Sequence, residues 1–126
     1  MPVYSGKITT TAFKSGKNIL ASEHVQFIEG GATLDASDFG AGLVEVGTLI
    51  ARDSSSGLWV EFDSTDVANY DAFGILNVDW ECDGTTDSVV GEVIVRGSVY
   101  EDKLPANAGL DDFKELVPMI RFVKHV

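Results

Sequence analysis

The sequence predicts a mainly β protein: a small β-barrel or tulip-like domain with one short C-terminal helix and a flexible N-terminal arm. Three observations predict it. Residues 47–105 hold three apolar runs rich in Val, Ile, Phe and Trp, separated by polar turns; such residues suit a pleated, half-buried surface. Helical spacing is confined to one short segment beginning near Asp111. Residues 1–22 carry Lys7, Lys14 and Lys17 and no acid, while the whole chain has a net charge of −11. That break in composition divides the chain into an arm, residues 1–22, and a β-rich domain, residues 23–126.

Each element has a local reason. Residues 25–28 (Val-Gln-Phe-Ile) form a short strand ended by Gly30-Gly31, and the Gly-, Ala-, Asp- and Ser-rich stretch 30–42 reads as a loop. Residues 44–52 read as a strand whose alternation is imperfect, with a bend at Gly47. The run Asp53-Ser54-Ser55-Ser56-Gly57 is a hairpin turn, and residues 58–62 (Leu-Trp-Val-Glu-Phe) return as the partner strand. Residues 64–70 are polar and read as a connection. Next comes one long hairpin: residues 72–80 climb, 81–88 turn, and 89–100 return. Gly91 and Gly97 inside the return strand mark a bulge or a close approach. Asp111 or its neighbour caps the start of the helix, with Phe113, Leu116 and Val117 on one face and Pro118 as its limit. Residues 119–126 close the chain as a strand.

Composition narrows the function classes. At 126 residues the chain fits one domain around a single core. No apolar run approaches the roughly 20 residues that cross a bilayer, and no membrane partner is expected. The start has no continuous apolar stretch of the kind a secretory signal carries, so synthesis in the cytoplasm is expected. With the arm set aside, the body carries −14, which repels phosphates and argues against nucleic acid as a partner.

Reactive groups are sparse. Cys82 is the only cysteine and stands between Glu81 and Asp83; negative neighbours raise a thiol pKa and make it a poor nucleophile. His24 and His125 have no carboxylate or serine at a catalytic spacing and read as surface or packing residues. GxSxG, P-loop and HExxH motifs are absent, so no catalytic residue, cofactor site or metal site is assigned, and the chain is not expected to be an enzyme. Residues 79–84 (Asp-Trp-Glu-Cys-Asp-Gly) resemble the first half of an EF-hand loop, but position twelve, where a bidentate Glu belongs, is Val90. A solvated acidic hairpin tip is the preferred reading, with weak calcium binding as the alternative. Trp59 and Trp80 read as core or subunit-contact residues.

The arm has two readings. One is a frayed terminus. The other, favoured by the β-prone run Lys7-Ile8-Thr9-Thr10-Thr11-Ala12-Phe13-Lys14, is a segment that orders by adding a strand to a partner's sheet edge.

The order of motifs resembles a known family. Gly47-Thr48-Leu49-Ile50-Ala51-Arg52-Asp53 is followed by a turn and Trp59-Val60-Glu61-Phe62-Asp63. Ala72-Phe73-Gly74-Ile75-Leu76 comes next, then Val93-Ile94-Val95-Arg96-Gly97-Ser98-Val99 and Leu104. Together they are similar to the lambda-type head decoration proteins of tailed bacteriophages. The resemblance covers roughly residues 44–126, and residues 30–42 have no clear counterpart in it. It implies a structural virion protein made in the host cytoplasm. Such proteins bind as homotrimers on the outer surface of the expanded icosahedral capsid, at threefold and quasi-threefold sites, and stabilise the head against internal DNA pressure. It also implies that the arm adds a strand to the major capsid protein; the capsid-binding residues would be Val3, Tyr4, Lys7, Ile8, Thr9, Thr10, Thr11, Phe13, Lys14 and Lys17. Two other classes stand beside it. A carbohydrate- or cell-surface-binding β module displayed on a virion would use Trp59, Trp80 or Tyr100 as a stacking platform. A small β-barrel enzyme would bring His24 or His125 to a carboxylate.

Overall fold

The computed structural model describes residues 18–124. They form a curled, mainly β domain with a short helix near the C-terminus, as the sequence predicts. Ten strands occur in chain order among the described residues: β1 (Gln26–Phe27), β2 (Ala32–Leu34), β3 (Gly42–Val44), β4 (Leu49–Asp53), β5 (Trp59–Glu61), β6 (Tyr70–Leu76), β7 (Trp80–Cys82), β8 (Ser88–Val90), β9 (Val93–Tyr100) and β10 (Ile120–Val123). The main sheet runs β1-β9-β6-β4-β5-β2-β8, with β10 also on β9, and β3 with β7 forms a separate ribbon. The β2–β5 and β9–β10 pairs are parallel; the other pairings are antiparallel.

The central strands are buried on both faces. Leu49, Ala51, Ile75 and Ile94 face one apolar cluster with Ile19, Phe62, Val99, Phe113 and Ile120. Ile50, Leu76 and Val93, the neighbours of those residues, face a second cluster with Leu34, Ala36, Trp59, Trp80 and Cys82. That is why Leu49-Ile50-Ala51, Ile75-Leu76 and Val93-Ile94 read as continuous apolar runs rather than alternating ones. Helix α2 (Leu110–Leu116) covers the first cluster by inserting Phe113, whose ring lies edge-on to Phe62 at 5.0 Å. Burying that side chain contributes about 1.5–3 kcal/mol. Helix α1 (Ala36–Phe39) and the β3–β7 ribbon cover the second cluster, with Phe39 edge-on to Trp80 at 5.6 Å.

Several sequence expectations are corrected. Residues 30–42 are not one loop: they hold β2, α1 and the first residue of β3. Asp35 makes α1 possible by accepting from the Ser37 and Asp38 N–H groups as N-cap, and burial of Ala36 holds the helix in place. The expected strand 44–52 is two strands, β3 and β4, with different partners; the break contains Gly47, at φ +97°. Residues 64–69 form a 3-10 turn capped by Asp63. Helix α2 starts after Gly109, without a side-chain cap, so Asp111 lies inside the helix instead of capping it.

The long hairpin is also revised. β6 and β9 do pair, through Ile75 with Ile94 and Leu76 with Val93. Beyond that point the two limbs separate: β7 leaves to pair with β3 and β8 leaves to pair with β2.

The boundary of the domain moves toward the N-terminus. Residues 18–22, assigned to the arm, belong to the body. Ile19 is 0% exposed. Its carbonyl accepts from the Tyr100 N–H at 2.8 Å, and the Ala21 N–H donates to the Ser98 carbonyl at 2.9 Å. Residues 1–17, which hold the ten predicted arm residues, lie outside the described region.

Candidate interaction surfaces

β9 organises the part of the molecule where the described chain begins. Its first half lies between β1 and β6. Its second half pairs with β10 and, at Val99, with Leu20. The chain thus enters the domain extended along β9. At the point of entry the Lys103 ammonium donates to the Asn18 carbonyl at 3.4 Å, and it also lies 4.9 Å from the Tyr100 ring centre.

At Gln26 the β1–β9 register slips: Phe27 faces Ile94, yet Gln26 faces Arg96. The extra residue is a β-bulge, which reverses the inward–outward order along β9. Ile94 points to the first core cluster before the bulge and Val99 after it, so Arg96 is turned outward. Gly97 follows at φ +150°, its α-carbon face pressed against the His24 carbonyl and Val25. Sequence reading marked this glycine as a bulge signal but did not single out the arginine it exposes.

A second surface is a hollow of about 560 Å³ between the β5 end, the 64–69 turn and residues 106–109. Asp38, Asp53, Glu61, Asp63 and Asp66 line it, and among the described residues no cationic side chain does. Asp53 is held below the ordinary carboxylate range by the Ser55 hydroxyl and N–H. Asp63 is held down by the Thr65 N–H and hydroxyl. Burial raises the Tyr70 phenol at the hollow's wall, and the Asp66, Asp63 and Asp38 charges raise it further. These carboxylates are scattered from residue 38 to residue 66, so no local motif announces the hollow.

Three of the four carboxylates in the acidic 79–87 segment accept hydrogen bonds from the backbone. Asp79 accepts from the Val46 N–H at 2.9 Å and Asp87 from the Ala36 N–H at 2.9 Å. Asp83 accepts from the Thr85 and Thr86 N–H groups, which pull its pKa down to about 2. Asp79 and Asp87 thus tie the segment to Val46, beyond the end of β3, and to α1, and among the described residues no group of three or more His, Cys, Asp or Glu is arranged to hold a metal ion. Cys82 is buried, its thiol donating to the Ala36 carbonyl at 3.5 Å.

The aromatic platform of a glycan binder does not form from the tryptophans. Trp59 is 3% and Trp80 9% exposed, both inside the second core cluster. His24 is exposed, with its backbone N–H bonded to the Ser22 hydroxyl at 3.1 Å; His125 lies outside the described residues. No helix among the described residues is long and apolar enough to cross a membrane. No family model, curated protein or solved structure matches the chain.

Proposed function

We propose that this chain is a head decoration protein of a tailed bacteriophage, a capsid cement of the lambda type. It binds as a homotrimer to the outside of the expanded icosahedral head, at threefold and quasi-threefold sites, and holds neighbouring major capsid subunits together against internal DNA pressure. The observation that carries this reading is where the ordered motifs fall. The segments at 47–53, 59–63, 72–76 and 93–99 supply β4, β5, β6 and β9, which are consecutive in the sheet as β9-β6-β4-β5. Motifs separated in sequence thus form one contiguous piece of sheet, the framework of the domain.

The entry of the chain supports the arm's role. Residues 18–27 run alongside β9, so the described chain begins already bonded to a sheet. Strand addition draws its affinity from backbone hydrogen bonds, which the Ile-Thr-Thr-Thr run is suited to make. Three arms per trimer raise the effective concentration of each after the first has bound, so modest single contacts become long-lived. The reaction is binding alone, without a cofactor.

The test is co-sedimentation with expanded, undecorated heads of the parent phage. The full chain is expected to pellet with the heads, and the chain lacking residues 1–17 to remain folded in the supernatant. Full retention of binding by the truncated chain overturns the arm's role. Failure of the full chain to bind overturns the cement reading itself.

A further inference from the structure

Charge divides this domain. Residues 32–92, from the start of β2 to the residue before β9, hold thirteen carboxylates and one arginine. Five of those carboxylates converge on the hollow beside β5. Four of the five, Asp38, Glu61, Asp63 and Asp66, are exposed, and no described side chain forms an ion pair with Glu61 or Asp66.

The outer face of β9 and β10 has the opposite character. The bulge turns Arg96 outward, and Arg121 stands in register with Ser98, two residues further along β9. By register, Gln26, Arg96, Ser98, Arg121 and Val123 share this face, and none is acidic. Both arginines are exposed, and neither forms an ion pair among the described residues. The Arg96 guanidinium lies 3.8 Å from the Met119 sulfur, and Met119 is 54% exposed. Lys114 and Lys124 differ in being engaged by Glu101.

We infer that this arginine–methionine face docks on the carboxylate hollow of a second copy of the chain. Charge complementarity selects the occupant. A guanidinium presents a planar set of donors that fits carboxylates in pairs. Glu61 and Asp66 are free to receive such contacts, whereas Asp53 and Asp63 are already held by Ser55 and Thr65. Met119 adds apolar area that leaves water on contact. Because the two patches are different surfaces of one molecule, the contact is heterologous: each copy gives its arginine face to one neighbour and its hollow to another. Such contacts form rings where the rotation between copies closes. The inference rests on this charge distribution and not on the capsid reading, although a ring of this kind would supply the trimer's contact.

Light scattering coupled to size exclusion tests it on the full chain, at roughly 0.05 M and roughly 0.5 M NaCl, where screening lengths differ about threefold. A multimer at low salt that weakens at high salt is expected. The R96E/R121E and E61K/D66K variants are each expected to run as monomers with unchanged melting temperatures, since all four side chains are on the surface. The chain carrying all four changes is expected to regain the multimer. A monomeric wild type, a multimer indifferent to these variants, or failure of the fourfold variant to regain it overturns the inference. Should deletion of residues 1–17 abolish the multimer while the arginine variants retain it, the contact belongs to that segment, and the inference is likewise overturned. Head co-sedimentation of the same variants separates the two proposals, because a monomer that still pellets with heads removes this contact and leaves the cement reading standing.

Discussion

Gly74 lies so close to Val93 that a β-carbon added to the glycine would stand 2.5 Å from the valine Cγ1. The contact is where β6 and β9 begin their short ladder, and the Ile94 carbonyl would be only 3.3 Å from the same atom. Backbone conformation is not the constraint here; space is. Gly74→Ala is expected to lower stability by about 1–3 kcal/mol, as overpacking does, and Gly74→Val by more. Urea unfolding of the two variants measures it, and an unchanged midpoint for both would contradict the close packing.

Gly91 and Gly97 look alike in sequence but differ in the fold. A β-carbon on Gly91 meets nothing within 4 Å, whereas one on Gly97 would press on the His24 carbonyl and Val25, at a φ of +150° that side chains resist. Gly97→Ala should destabilise the domain and loosen residues 18–27 from β9. Gly91→Ala should change stability by no more than about 0.5 kcal/mol. Melting temperatures of the pair, read side by side, check the distinction; equal effects would refute it.

Truncation should show a sharp boundary. Removing residues 1–17 leaves every described contact in place. Removing residues 1–22 takes away the buried Ile19 side chain and the bonds to Ser98 and Tyr100. Loss of a buried isoleucine alone costs about 2–5 kcal/mol. Equal unfolding midpoints for the two truncations would show that residues 18–22 do not support the core.

Glu101 links the end of β9 to α2 and β10. Its carboxylate is paired with the Lys114 and Lys124 ammonium groups. The Lys114 hydrogen bond, more than any other cause, holds its pKa below the ordinary 4.5. A carboxylate depressed in the folded state stabilises fully above its unfolded pKa, and that stabilisation is lost as pH falls through the folded value. Glu101→Gln should therefore be less stable than the wild type at pH 7, and the gap should close as the pH is lowered below about 4. A gap independent of pH would exclude the ion pairs as its source.

Local chemistry made several elements legible. The turn at residues 53–57 forms as expected, with the Gly57 N–H donating to the Asp53 carbonyl at 2.8 Å, because Asp, Ser and Gly favour that turn by themselves. The strand character of residues 49–53, 59–61 and 93–100 follows from their β-branched and aromatic side chains. Helix α1 was not legible. Four residues are too few for a periodic signal, and the helix exists because Asp35 caps it and the second cluster buries Ala36. Neither interaction surface was legible either: the hollow assembles carboxylates from four separate elements, and the outward turn of Arg96 depends on a register slip between β1 and β9.

The sequence by itself determined the fold class, the location of the strong strands and the contrast in charge between residues 1–22 and the acidic remainder, because propensity and charge belong to residues and their near neighbours. Tertiary structure alone decided the pairing. Residues 72–100 could satisfy their backbone as one continuous hairpin. Instead β7 pairs with β3 and β8 with β2, which places Trp80 and Cys82 in the second cluster and leaves both faces of the central strands covered. Burial of apolar area is not confined to sequence neighbours, and here it outweighs the shorter loop closure that a single hairpin would have required.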